Sequence, residues 1–256
     1  MTDVLVCLKR VPDSSSEVVL TPDAQAVDGR FSGWTVSPHE NCAVELAIRI
    51  AQDTGGSATV LTLGPEDAVD QLRGALALGC TGAVHIVAES AAYGPADVAR
   101  EIAAVVASHE DEGRSYDLVL LGNDASDSGD FQVGVRLSYL LERPVVGGVN
   151  LVTVEGSEVT AVGEGADGRE TYQVPLPAVV AVMEGGVDPR YPTVSGRMKA
   201  KKIEIETRSP VAEPSGAVRQ RLTLPPPAPS SVQVLGEGVE AVPALREVLV
   251  NLGVVK

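Results

Sequence analysis

Four times before residue 142, a short apolar run gives way to a stretch whose apolar residues recur at helical spacing. The runs are Val4–Leu8, Ala58–Leu63, Ala83–Ala88 and Asp117–Gly122, apolar at successive positions as strands buried on both faces of a parallel sheet are. Parallel strands need a crossover between them, and a crossover helix supplies it, so this alternation predicts βαβ units wound into one open sheet. The fold class expected is α/β, a doubly wound, mostly parallel, Rossmann-like sheet. Val, Ala and Leu dominate the apolar residues and aromatics make up only 3% of the chain, which suits such strands beneath alanine-rich helices.

The helices carry explicit punctuation. Ser37-Pro38-His39-Glu40 predicts a start with Ser37 as N-cap, Pro38 at the first position and Glu40 completing a capping box. That helix runs to about Asp53, with Val44, Ala47, Ile48 and Ala51 inward and Glu45 paired to Arg49 outside. Gly64-Pro65 leads into a second, with Val69, Leu72, Ala75 and Leu76 on one face, and Pro95 opens a third to about His109. Tyr116 to Leu141 holds the fourth strand, a polar loop from Asn123 to Phe131, and a helix with Val133, Leu137, Leu140 and Leu141 on one side. A loop between a strand's carboxyl end and a helix N-terminus is where open α/β sheets capture phosphates. Ser128 and Gly129 permit close backbone approach, and Asp127 or Ser128 is the expected N-cap. Asp124, Asp127 and Asp130 repel a bare phosphate unless amides or a cation compensate. Neither GxxxxGK[ST] nor GxGxxG occurs here.

After Pro144 the pattern changes. Val145–Val162 and Glu170–Met183 read as paired strands separated by the turn Gly163–Arg169, with Pro175 and Pro177 confined to an edge or strand start. Arg208 to Ser231 reads as an extended arm, followed by a helix from about Gly238 to Leu252 striped by Val242, Leu245, Leu249 and Leu252. That stripe folds back on its own domain or docks on another subunit. Asp188–Thr193 and the basic Met198–Lys202 look like a contact surface.

A formal net charge of −15 argues against nucleic acid as partner. Cys7, Cys42 and Cys80 form no CxxC pair, and His39, His85 and His109 have no metal-ligand spacing. No apolar stretch is long enough to span a membrane, and a strand begins almost at once, leaving no room for a leader. The expectation is a soluble, cytoplasmic protein that is not membrane-spanning, without metal.

Several segments together resemble the β (small) subunit of electron-transfer flavoproteins: VLVCLKRVPD, SPHENCAVELAIRI, LTLGPEDAVDQLRGALALGC, DLVLLGNDASDSGDFQVG, VPLPAVVAV and PRYPTVSGRMKAKK. The resemblance covers nearly the whole chain. It implies a heterodimer with a larger α subunit that carries electrons from a flavin dehydrogenase to a downstream acceptor such as a quinone reductase. It implies no catalysis by this chain, a structural AMP here and FAD held mainly by α; in bifurcating members a second FAD replaces the AMP. Carried over by position, the nucleotide meets Cys7, then Ser37, Pro38, His39 and Glu40, then Leu63. It also meets Gly122, Asn123, Asp124, Ala125, Ser126, Asp127, Ser128, Gly129, Asp130, Phe131, Gln132 and Val133. The resemblance divides the chain into an adenine-nucleotide-binding domain, 1–207, and an arm and helix, 208–256, that dock on α. The dehydrogenase is expected near Glu184–Thr193, on a loop made flexible by Gly185-Gly186.

Three departures stand out. Gly186 aligns with the family's docking leucine, Ser14 with an aromatic near the flavin, and Gly163-Glu164-Gly165 with a stretch that carries a basic residue. Val187, or Lys199, Lys201 and Lys202, would then have to supply the contact. Two other classes share the pattern. A stand-alone nucleotide-binding, stress-type protein would have no use for the arm and helix, and an adenylating enzyme would want a basic residue or metal ligands that the loop does not offer.

Overall fold

The computed structural model describes residues 1–13, 15, 17–215, 220–226 and 232–255. Compact packing separates the described chain into two units, Met1–Leu222 and Thr223–Lys256.

In the first unit, β1 (Val4–Cys7) opens the sheet, and β2 (Arg10–Pro12) pairs antiparallel with β3 (Trp34–Val36) in a small separate ribbon. A one-turn helix, α1 (Gly29–Ser32), precedes β3. The ribbon is built around Trp34, with the Arg10 guanidinium stacked 4.1 Å from its ring.

Then come α2 (Pro38–Thr54), β4 (Ala58–Gly64), α3 (Val69–Leu78), β5 (Gly82–Val87), α4 (Pro95–Asp111), β6 (Leu118–Gly122) and α5 (Val133–Leu141). Strand then helix repeats as the apolar runs require. β1 lies parallel between β4 and β6, with Val4 opposite both Ala58 and Leu118. Beyond residue 144 the chain forms β7 (Val145–Glu155), β8 (Glu158–Gly165), β9 (Gly168–Pro175) and β10 (Ala178–Val182). The last elements of the unit are α6 (Val194–Ala200) and β11 (Glu206–Arg208).

Among the described residues the sheet has nine strands in the order β11-β5-β4-β1-β6-β10-β7-β8-β9. It is parallel from β11 to β7 and antiparallel at β7-β8-β9. This is a doubly wound α/β fold. One core layer packs α2, α3 and Ala200 of α6 against one face, and another packs α4 and Leu137 of α5 against the other.

The two long strands expected after Pro144 are four. Gly156-Ser157 divides the first, and the second breaks at the cis Leu176-Pro177 bond, after which β10 leaves the antiparallel hairpin and inserts between β6 and β7. The turn expected over Gly163–Arg169 is shorter: Gly163–Gly165 pair with Gly168–Glu170 as strand, and only Ala166-Asp167 separate β8 from β9.

The segment after β11 lies on α4. The amides of Val211 and Ala212 donate to the buried Glu101 carboxylate at 2.7 and 3.3 Å. The amide and hydroxyl of Ser215 donate to the buried Asp97 at 3.0 Å each. Helix α4 thus presents two enclosed carboxylates to backbone amides, which satisfies both sides.

In the second unit a short 3-10 turn, Gly238–Ala241, leads into α7 (Val242–Asn251), of which no residue is buried.

Candidate functional site

Strand order reverses at β1. The chain steps outward through β4 and β5, then crosses to β6 on the other side. A crevice at the carboxyl ends of the strands is expected there, and an open one is present. Cys7 of β1, Leu61 and Leu63 of β4, and Leu121 and Gly122 of β6 line its strand ends. Opposite them stand Ser90, Tyr93, Pro95, Val98 and Ile102, from the turn before α4 and from α4 itself. The third side is the loop and the start of α5: Asn123, Asp124, Ala125, Ser128, Asp130, Phe131, Gln132, Val133 and Gly134.

The N-terminus of α5 differs from the expectation. The N-cap is Gln132, with no side-chain cap, not Asp127 or Ser128. The reason is local: the amides of Ser128 and Gly129 turn back to the Ala125 carbonyl at 3.2 and 2.9 Å, so a separate turn closes before the helix begins. Gly129 (φ +60°) and Phe131 (φ +55°) both adopt the left-handed region to join turn to helix. The helix's own ladder is entered at Arg136, whose amide donates to Gln132 O at 3.0 Å. The amides of Val133, Gly134 and Val135 precede it and have no carbonyl within the helix. These amides, beside the crevice, are placed to meet an anion, whereas those of Ser128 and Gly129 are already engaged by Ala125 O.

Asp127 is neutralised from a direction the loop's sequence does not show. Lys9, just past β1, lines the crevice and pairs with Asp127 at 2.7 Å. His39 lies 3.3 Å from Asp124 through Nε2, while its Nδ1 accepts the Glu184 amide at 3.0 Å. His39 therefore ties the crevice loop to the start of the 184–193 segment.

Glu40 forms part of the crevice wall and is 5% exposed. Its carboxylate accepts the Lys9 amide at 3.0 Å and the Ser37 amide at 3.2 Å, and the Ser37 hydroxyl donates to it as well. The backbone half of the expected capping box is thus in place. Burial raises the Glu40 carboxyl to about 7 against these hydrogen bonds. Burial, with Glu40 nearby, also pushes the Cys7 thiol up.

Of the residues expected to meet a nucleotide, Cys7, Glu40, Leu63, Gly122, Asn123, Asp124, Ala125, Ser128, Asp130, Phe131, Gln132 and Val133 converge on this crevice. Ser37 is enclosed beneath it, and Pro38, His39, Ser126, Asp127 and Gly129 stand outside its lining. Lys9 and the Ser90–Ile102 wall were missed. Lys9 lies two residues beyond Cys7, which was a usable signal; the wall comes from α4 and the turn before it and left none.

The 184–203 segment is not loose. A Cβ on Gly186 would lie 1.8 Å from the Asn150 carbonyl oxygen, so that position faces into the chain and could not present a leucine outward. Val187 packs against the core. The outward apolar groups are Tyr191, Val194 and Met198, 93%, 82% and 55% exposed, beside exposed Arg197, Lys199, Lys201 and Lys202. Among the described residues, no cluster of three or more His, Cys, Asp or Glu is placed to hold a metal, and no helix is long and apolar enough to cross a membrane.

A family model described as "Electron transfer flavoprotein domain" matches residues 30–213. An electron transfer flavoprotein subunit beta from Bacillus subtilis is 33% identical over 204 residues, covering 80% of this chain and 77% of that protein. One from Syntrophomonas wolfei is 29% identical over 249 residues, 97% of this chain and 96% of the relative. One from Homo sapiens is 33% identical over 211 residues, 81% of each.

Proposed function

The chain belongs to the electron transfer flavoprotein family as a β subunit, and we propose that it pairs with a larger α subunit, binds AMP in its crevice and helps relay electrons from a flavin dehydrogenase to a downstream acceptor. The observation that carries the nucleotide reading is the meeting of three strand ends and the uncapped α5 N-terminus on one crevice. Leu61, Leu63, Val98 and Ile102 give an apolar wall for a base. The first-turn amides of α5 favour a phosphate by about 0.3–1 kcal/mol, and Lys9 supplies the cation that offsets the loop's aspartates. FAD, held mainly by α, supplies the redox chemistry; this chain's residues bind, orient and dock. Glu40, the crevice acid with a strongly raised titration, is fully engaged by donors of its own chain, which suits a binding wall more than a proton-transfer group.

Two surfaces fit the partners. The unburied α7, with Val242 and Leu245 55% and 47% exposed, suits docking on α. Tyr191, Val194 and Met198 beside a basic row suit an acidic-rimmed dehydrogenase, with Val194 replacing Val187 as the expected apolar anchor. The site of action proposed is the cytoplasm. Co-expression with the cognate α chain tests the assembly. A 1:1 yellow complex with a flavin spectrum is expected; a chain that purifies alone, monodisperse, in the presence of folded α contradicts it.

A further inference from the structure

Glu45 lies in mid-α2 at a position where helical spacing suggests an outward partner for Arg49, yet it is 1% exposed. Both carboxylate oxygens are engaged. Oε2 accepts the Arg190 amide at 3.1 Å and Arg190 Nε at 2.8 Å. Oε1 accepts Arg190 Nη2 at 3.0 Å and Arg49 Nε at 2.5 Å. Burial pushes this carboxyl up, but the Arg190 and Arg49 guanidiniums outweigh it and leave it at about 2. One carboxylate therefore grips Arg190 by main chain and by a two-pronged side-chain contact, the strong and directional form of such a pair.

The grip falls at a decisive point. Arg190 sits one residue from Pro189 and two from Pro192, whose rings fix their own φ angles. The next residue, Tyr191, is the segment's one aromatic and is almost fully exposed. Farther on, Gly196 packs so closely on α3 that a Cβ would lie 2.3 Å from the Ala77 carbonyl oxygen. Arg73 then donates to the carbonyls of Ala200 and Ile203, the latter at 2.6 Å. A buried ion pair often adds little net stability over an apolar packing of the same volume, so its better-attested use is to select one conformation.

We propose that Glu45 is a positioning residue for partner docking: through Arg190 it holds residues 190–200 in the arrangement that turns Tyr191, Val194 and the basic row outward together. This rests on the reading of that segment as the dehydrogenase surface. The docking-competent arrangement is the populated state while the grip lasts. Without it the segment samples others, and apparent affinity falls by the fraction lost.

The test uses the heterodimer with Glu45→Gln and, because a buried substitution can impair folding, Arg190→Lys, which keeps the charge but loses the fork. Two readouts are needed: amide hydrogen exchange over residues 188–200, and KM and kcat of the heterodimer as acceptor for the flavin dehydrogenase that reduces the wild type fastest. In both variants exchange in the segment should rise at least about tenfold with the core strands unchanged, and KM should rise about tenfold at constant kcat, as a drop to a tenth in the competent population requires. Unchanged exchange in both variants overturns the proposal. So does faster exchange with unchanged KM, provided that Tyr191→Ala combined with Val194→Ala raises KM. If that surface double variant leaves KM unchanged, the docking reading itself is wrong.

Discussion

Glu40→Gln should remove a pH dependence of stability that wild type shows between about 4.5 and 7. In the folded chain the Glu40 carboxyl titrates at about 7, against 4.5 when unperturbed, because burial disfavours its charge. The folded state then holds a proton that the unfolded state releases between those values. The stabilising contribution is fully present below 4.5 and lost as pH rises through 7. A separation of this size corresponds to about 3 kcal/mol. The amide variant has no such titration. It keeps an acceptor for the Lys9 amide but leaves the Ser37 amide without one, a pH-independent cost of about 1–3 kcal/mol. Urea unfolding of the full chain, followed by its one tryptophan, Trp34, at pH 5 to 8, measures both states. The wild-type-minus-variant difference isolates Glu40. Glu45 and Glu206, both held near 2 by guanidinium or imidazole partners, lose their stabilising contributions only as pH falls below 4.5. The difference should shrink by about 2.5 kcal/mol from pH 5 to pH 8, the remainder having been lost below pH 5. A difference that stays flat or grows with pH shows that Glu40 does not titrate above its unfolded value in the folded chain.

Gly129→Val forces a β-branched residue into φ +60° and should lower both the melting temperature and nucleotide retention; full nucleotide stoichiometry after purification would count against the crevice loop as a binding element. Truncation after Leu222 removes α7 but keeps residues 209–215 on α4, and should leave a nucleotide-binding chain that forms no yellow heterodimer; recovery of the intact complex contradicts α7 docking. Replacing Lys199, Lys201 and Lys202 by Gln should weaken dehydrogenase coupling and flatten its dependence on salt, since exposed charges are screened beyond about 10 Å at 0.1 M; an unchanged salt slope removes the basic row from the contact.

The alternation of apolar run and helical stripe made the parallel half of the sheet legible, because each crossover helix carries its own local signal. Ser37-Pro38 and Glu40 marked α2 for the same reason. What the sequence concealed is non-local. The placement of β10 between β6 and β7 depends on strand partners 60 residues apart in register, Val180 against Leu120, which no local pattern encodes. Glu45 read as a solvent-facing partner of Arg49 because i,i+4 spacing cannot reveal an arginine arriving from residue 190. Gly185-Gly186 read as flexibility, whereas Gly186 is required by the Asn150 backbone against it. At the crevice, the loop and strand ends were visible as a strand-to-helix junction. Lys9 was marked only by its place two residues beyond Cys7, and the α4 wall, which reaches the crevice through the tertiary fold, was not marked at all.

The proposed nucleotide site lies in the crevice between β1, β4, β6 and α5. The most direct measurement is acid extraction of the co-expressed heterodimer, with separation and quantification of the nucleotides released. One AMP and one FAD per heterodimer are expected, with the AMP alone lost from a Gly129→Val variant. A wild-type heterodimer that releases FAD at one equivalent and no second nucleotide of any kind would contradict the proposed site.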